Sequence, residues 1–196
     1  MKTRKKKIIL GAVGLLLLAG ALALAVWLDW RNDRVVLELA DYRRLTCEAA
    51  NPEELTEQIL EALVENSRFG GGLDERTEEN YRETMDYFTQ EAEYFSLSLS
   101  EYLERFYDTT EAEFRESVRE SAEQAAKEEA VLEAVADEEG IALTDEEFEA
   151  MLPDYMESYG YTDEAKFLRE HDENELREAM RRERALDRII EYLKQK

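Results

Sequence analysis

Residues 109–152 read TTEAEFRESVRESAEQAAKEEAVLEAVADEEGIALTDEEFEAML. Between Thr110 and Glu139 neither Gly nor Pro interrupts the chain. Phe114, Val118, Ala122, Ala125, Leu132 and Val135 recur at helical spacing on one face. Asp108-Thr109-Thr110-Glu111 supplies an acidic start and Gly140 a stop. Four residues later Thr144-Asp145-Glu146-Glu147 reopens the pattern as a capping box, with Glu three on from Thr. This stretch therefore predicts one long helix, a turn at glycine and a second helix.

The same grammar extends in both directions. Toward the C-terminus, the helix from Thr144 carries Phe148, Leu152, Tyr155 and Met156 and is expected to end near Gly160. Thr162 is the expected cap of a short helix holding Phe167 and Leu168. Asp172, with Glu175 three on, opens the last helix, whose stripe is Leu176, Met180, Leu186, Ile190 and Leu193. Toward the N-terminus, Ser98-Leu99-Ser100-Glu101 reads as a capping box before Tyr102, Leu103 and Phe106. A helix over about Glu75 to Tyr94 carries Tyr81, Met85, Phe88, Ala92 and Phe95. Asn51-Pro52-Glu53-Glu54 combines a cap, a proline at the first helical position and a glutamate. That helix should run to about Asn66, with Leu55, Ile59, Leu60 and Leu63 on one face. Gly70-Gly71-Gly72 is the expected hinge. Val35 to Leu39 is a short extended candidate, and no strand alternation follows residue 50. The fold class expected is all-α: an extended, arm-like assembly of several helices.

Ile8 to Leu28 is an uncharged run of 21 residues, preceded by Lys2, Arg4, Lys5, Lys6 and Lys7. As a helix it would be about 31 Å long, enough for a hydrocarbon core of roughly 30 Å. The basic flank is expected to stay in the cytoplasm and the body to cross. Trp27 and Trp30 suit the headgroup region. Two outcomes remain open: a single-pass anchor in the cell membrane, or a signal peptide cut near Ala21-Leu22-Ala23 or Ala23-Leu24-Ala25 and a secreted body. The expected organisation is a basic tail and anchor over 1–30, an extended segment, helix and glycine hinge over 31–73, and a helical domain over 74–196.

All 48 acidic residues follow the run, against 25 basic residues in the whole chain. So acidic a body disfavours nucleic acid and anionic lipid surfaces, which need positive charge. Cys47 is the only cysteine, so no internal disulfide forms and packing must hold the fold. No catalytic motif is present: no H-E-x-x-H, C-x-x-C, G-x-S-x-G or phosphate loop. The acidic pairs sit at helix starts and lack the EF-hand spacing. His171, the only histidine, reads as a surface residue. No catalytic residue, metal or cofactor is therefore assigned.

The aromatic residues carry more information. Tyr81, Tyr87, Phe88, Tyr94, Phe95, Tyr102, Phe106 and Tyr107 crowd the middle helices, and Tyr155, Tyr159 and Tyr161 a later stretch. Many must be ordinary helix contacts. Others suit a groove for apolar peptide segments, because aromatic and Met side chains adapt to varied partners.

The stretch from about Asn80 to Lys196 resembles the C-terminal helical domain of trigger factor, a folding chaperone. The likeness lies in LSLSEYLERF (97–106), in residues 109–152 and in YGYTDEAKFLREHDENELREAMRRERALDRIIEYL (159–193); VLEAVADEEGIALTDEEFE (131–149) is its most specific part. Residues 35–63 resemble the family's lead-in to its isomerase domain. That FKBP-type domain, expected near residues 64–80, is replaced by a few residues, and the ribosome-docking domain is missing. Isomerisation and ribosome binding are thus not implied. A holdase or foldase role is, as in periplasmic chaperones such as SurA, which carry similar helical parts.

Periodicity and resemblance together point to Met85, Phe88, Phe95, Phe106, Tyr155, Tyr159 and Phe167 as client contacts. The expected function is extracytoplasmic binding of unfolded or nascent secreted polypeptides without nucleotide. A non-catalytic scaffold in a cell-envelope complex is the alternative, and a divergent prolyl isomerase ranks below it. Expected partners are those polypeptides and the bilayer through Ile8–Leu28, with no nucleic acid; self-association as a homodimer stays open.

Overall fold

The computed structural model describes residues 34–195. The expected span Ile8–Leu28 lies outside them. Among the described residues no helix is long and apolar enough to cross a membrane.

Seven α-helices follow in order: α1 (Pro52–Asn66), α2 (Gly72–Tyr94), α3 (Leu99–Phe106), α4 (Glu111–Glu139), α5 (Asp145–Ser158), α6 (Glu164–Glu170) and α7 (Glu173–Lys194). Two short strands, β1 (Val36–Glu38) and β2 (Arg68–Phe69), pair antiparallel with Val36 opposite Phe69. The extended candidate at Val35–Leu39 is thus a strand. Its partner β2 is a departure from the reading, which placed no strand after residue 50. Two residues are too few for an alternation to register.

Most helix starts follow the side-chain chemistry. Asn51 accepts from the Glu54 amide at 2.9 Å, with Pro52 opening α1. Ser98 and Thr144 each form a full capping box, with Glu101 and Glu147. Three starts move. α2 begins at Gly72 rather than near Glu75, with no side-chain cap. The long helix α4 is capped by Thr110 with Glu113, not opened from Asp108. Asp108 has φ +52, a left-handed turn that closes off α3 and cannot begin a helix. α6 is capped by Asp163 rather than Thr162; its carboxylate accepts from the Lys166 amide at 2.9 Å. Gly140, at φ +65, ends α4: its own amide bonds Asp137 and the Ile141 amide bonds the Ala136 carbonyl at 2.8 Å.

α4, with 29 residues and a length of about 43 Å, is the spine. α2 packs along it, from Phe114 to Glu133, and α3 closes the tip, giving a first arm. α7 and α1 pack on its C-terminal half. There Ile59, Leu63, Val131, Val135, Ala185 and Ile189 share one core with Ala40 and Tyr42. Residues on both sides of the expected boundary at 73/74 contribute to it, Ile59 and Leu63 from one side and Val131 from the other. The glycines expected to hinge are tied in: the Gly70 amide donates to the Val35 carbonyl at 2.9 Å, and the Leu73 amide to the Gly70 carbonyl.

α5, α6 and the first half of α7 form a second arm with a separate core of Phe148, Leu152, Phe167, Leu176 and Met180. The arginines of α7 fasten this arm to the spine. Arg181 donates to the Ile141 carbonyl at 2.9 Å and pairs with Asp137; Arg182 pairs with Glu133 at 3.0 Å; Arg184 reaches Glu147 at 3.3 Å. The chain leading into the body is clamped at Glu139. Its carboxylate accepts from Tyr42 at 2.6 Å and Tyr192 at 2.9 Å and pairs with Arg43.

Candidate functional site: the aromatic tip of the first arm

The tip is built where two helices end and one begins. α2 ends with Ser96 at φ +57, its amide bonded to the Glu93 carbonyl and the Leu97 amide to the Ala92 carbonyl. This sharp stop sets α3 across the end of the hairpin. α3 has only eight residues, enough to bury Tyr102 and Leu103 but not to cover the rings around them.

Those rings form one connected set. Phe88 meets Phe114 at 4.7 Å and Tyr107 at 5.6 Å between centroids. Tyr102 meets Phe106 at 5.0 Å, Phe95 at 5.8 Å and Tyr107 at 5.8 Å. Tyr94 stands edge-on to Phe95 at 5.3 Å, and Tyr87 to Phe88 at 5.4 Å. Such offset and edge contacts stabilise aromatic pairs without sealing them from water. Tyr87, Tyr94, Phe95, Phe106 and Tyr107 stay exposed, from 48% for Phe95 to 82% for Tyr94. Among the described residues, the remaining exposed large apolar side chain is Tyr159, on the second arm. Scattered exposed aromatics need no explanation, but these five are joined through Phe88 and Tyr102 into one ring cluster, which makes the tip the candidate site.

The electrostatics around the rings are acidic. Glu91, Glu93, Glu101, Glu104 and Asp108 lie on the same elements, and Arg105 covers the Phe106 ring at 5.6 Å. Burial pushes the Tyr102 hydroxyl above its ordinary value, so it stays neutral. Hydrogen bonds from Ser98 hold the Glu101 carboxyl below its ordinary value, keeping that rim charge ionised. Among the described residues no cluster of His, Cys, Asp and Glu is placed to hold a metal ion. Half-exposed rings of this kind can bind apolar groups by contact and exclude water.

The seven expected contact residues divide between the arms. Phe88, Phe95 and Phe106 come together at the tip. Met85 is on the same helix but buried, so it presents no surface. Tyr155, Tyr159 and Phe167 belong to the second arm. Phe167 is fully buried, Tyr155 is partly buried and donates to Glu183 at 3.1 Å, and Tyr159 is exposed beside Phe167 and His171. Neither Met85 nor Phe167 can touch a client in this conformation, because stripe periodicity does not say which residues a neighbouring helix will cover. Tyr87 is exposed at the tip as well, and so are Tyr94 and Tyr107, although none of the three is among the seven. The helix-stop position beside Ser96 and the end of α3 were the signals that could have found Tyr94 and Tyr107. His171, read as a surface residue, instead packs partly buried among Tyr159, Tyr161 and Phe167.

Comparison with known proteins agrees on the fold. A comparison with curated proteins finds no match. The chain resembles a solved structure from a study of the domains of trigger factor from Thermotoga maritima, with a TM-score of 0.54 and 23% identity, over 76% of this chain and 91% of that one. A second structure, from work on promiscuous substrate recognition in folding and assembly by the trigger factor chaperone, gives a TM-score of 0.48 and 25% identity. It covers 72% of this chain and 34% of that one, and the score is too low to argue from. The family described as bacterial trigger factor protein C-terminus matches residues 46–191, well over half of the chain. The chain therefore belongs to the trigger factor C-terminal family, a chaperone-type and non-catalytic fold.

Proposed function

We propose that this protein is a chaperone that binds unfolded segments of secreted polypeptides at the aromatic tip of its first arm, outside the cytoplasm and without nucleotide. The connected, half-exposed ring patch over α2, α3 and the start of α4 carries the reading. An unfolded segment laid on it loses apolar exposure at about 25 cal/mol per Å² buried. Ring-on-side-chain contact demands no fixed sequence, so many clients fit. The acidic body keeps the empty protein soluble and discourages acidic segments. In this reading Ile8–Leu28 holds the protein at the membrane with the body on the outer side; the apolar run and its basic flank support that placement.

The test is aggregation suppression by the full-length protein, with unfolded test proteins of varied sequence. The triple variant Tyr94→Ser/Phe95→Ser/Phe106→Ser should lose at least about tenfold in affinity, about 1.4 kcal/mol. Suppression unchanged in that variant, or saturable binding to a single folded partner alone, would favour a scaffold and overturn the proposal. Prolyl-limited refolding should not accelerate beyond what binding explains.

A further inference from the structure

A cleft of about 540 Å³ lies between the two arms. From α2 it is lined by Arg76, Glu79 and Glu83, and from α4 by Glu129 and Glu133. The second arm contributes His171, Asp172, Glu175, Glu178 and Arg182. Both arginines are committed. Arg76 pairs with Glu133 at 2.7 Å; Arg182 pairs with Glu133 at 3.0 Å and Glu129 at 3.7 Å. Glu79 reaches Arg82 and Glu178 reaches Arg181 along their own helices, and Asp172 caps α7. Glu83 and Glu175, on opposite walls, are in no ion pair among the described residues. Arg182 thus bridges the second arm to α4, while Glu83 and Glu175 face one another as carboxylates from opposite walls.

We propose that these facing carboxylates hold the two arms apart, and that neutralising them, by acid or by screening salt, lets the arms close across the cleft. Closing brings like charges nearer, so the closed form binds protons more tightly than the open one. By linkage, acid then shifts the population toward closure. Glu83 is the first group to respond. Burial, and then the nearby Glu79, Glu175 and Glu129, push its carboxyl above the ordinary value, with Arg82 opposing. Salt works without protons: raising it from about 0.1 M to about 1 M shortens the screening length from about 10 Å to about 3 Å. The device does not depend on the client reading, since it concerns only the separation of the arms.

The experiment measures that separation in the full-length protein. Labels go on Gln90→Cys in α2 and Ala165→Cys in α6, both exposed positions, with Cys47→Ser removing the native thiol. The label distance should shorten as the pH falls from about 7.5 to about 5, a window set by the Glu83 carboxyl, which is raised above the ordinary value of about 4.3. About 1 M salt at the higher pH should shorten it in part. Glu83→Gln/Glu175→Gln should start short at about pH 7.5 and flatten the pH response, whereas Glu116→Gln/Glu120→Gln, outside the cleft, should behave as the parent. A parent distance that ignores both pH and salt would overturn the proposal. So would an equal shift in the two double variants.

Discussion

In the first arm Phe95 and Phe106 meet at 5.4 Å between centroids and leave about half of each ring to solvent; in the second, Phe167 is sealed among Phe148, Leu152, Leu176 and Met180. Both arms are helical hairpins rich in aromatics. The second has α6 folded across α5 and α7, with Phe167 pointing into the seam. The first has only α3 across its end, and α3 spends its short inward face on Tyr102 and Leu103. One extra apolar layer turns aromatic side chains from a surface into a core. On the proposed function, the first arm is the working end and the second a structural strut.

That contrast can be broken experimentally, beginning where the effect is largest. Phe167→Ala removes a ring from a filled core and should cost about 3–5 kcal/mol, measured by urea denaturation. Client binding at the tip should survive wherever the variant is folded. A cost under about 1 kcal/mol would mean the second arm is as open as the first.

Next comes Glu139, which ties the entering chain to the spine. Glu139→Ala strands the hydroxyls of Tyr42 and Tyr192 and should cost about 1–3 kcal/mol. The sign with pH follows from its carboxyl, which the Tyr42 hydrogen bond, aided by Arg43 and Tyr192, holds below its ordinary value. Its stabilisation is complete above the ordinary carboxylate range and is lost as the pH falls through the folded value. The variant should therefore show a shallower acid slope in thermal melts than the parent.

A smaller effect is expected at Arg181, where the second arm meets the spine. Arg181→Ala leaves the Ile141 carbonyl and Asp137 without their donor, at a cost of about 1 kcal/mol. Hydrogen exchange should then quicken in α5 and α6 while the first arm is unchanged. The smallest effect sharpens the contrast most. Tyr159 is exposed, as the tip rings are, but it stands apart from them. Tyr159→Ser should leave client affinity within about twofold, under about 0.5 kcal/mol. A loss as large as that of the tip variant would place clients on both arms.

Sequence alone determined the order of the helices and most of their ends. Caps at Asn51, Ser98, Thr144 and Asp172 and the stop at Gly140 act within a few residues of themselves, so their chemistry is legible without a fold. Periodicity likewise marked Val118, Ala122, Val135, Leu176 and Met180 as turning away from water, but not the fully buried Val131 and Ile189 beside them. It could not say whether a neighbouring helix would arrive to cover them. Met85 and Phe167 are buried and Phe95 and Phe106 are open, although all four read as candidate client contacts in the sequence. The pairing of Arg68–Phe69 with Val36–Glu38, and the arginines of α7 gripping Asp137, Glu133 and Glu147, were also decided in three dimensions. Burial and ion pairing across long separations depend on which surfaces meet, and that is set by the packing of whole helices rather than by any local run of residues.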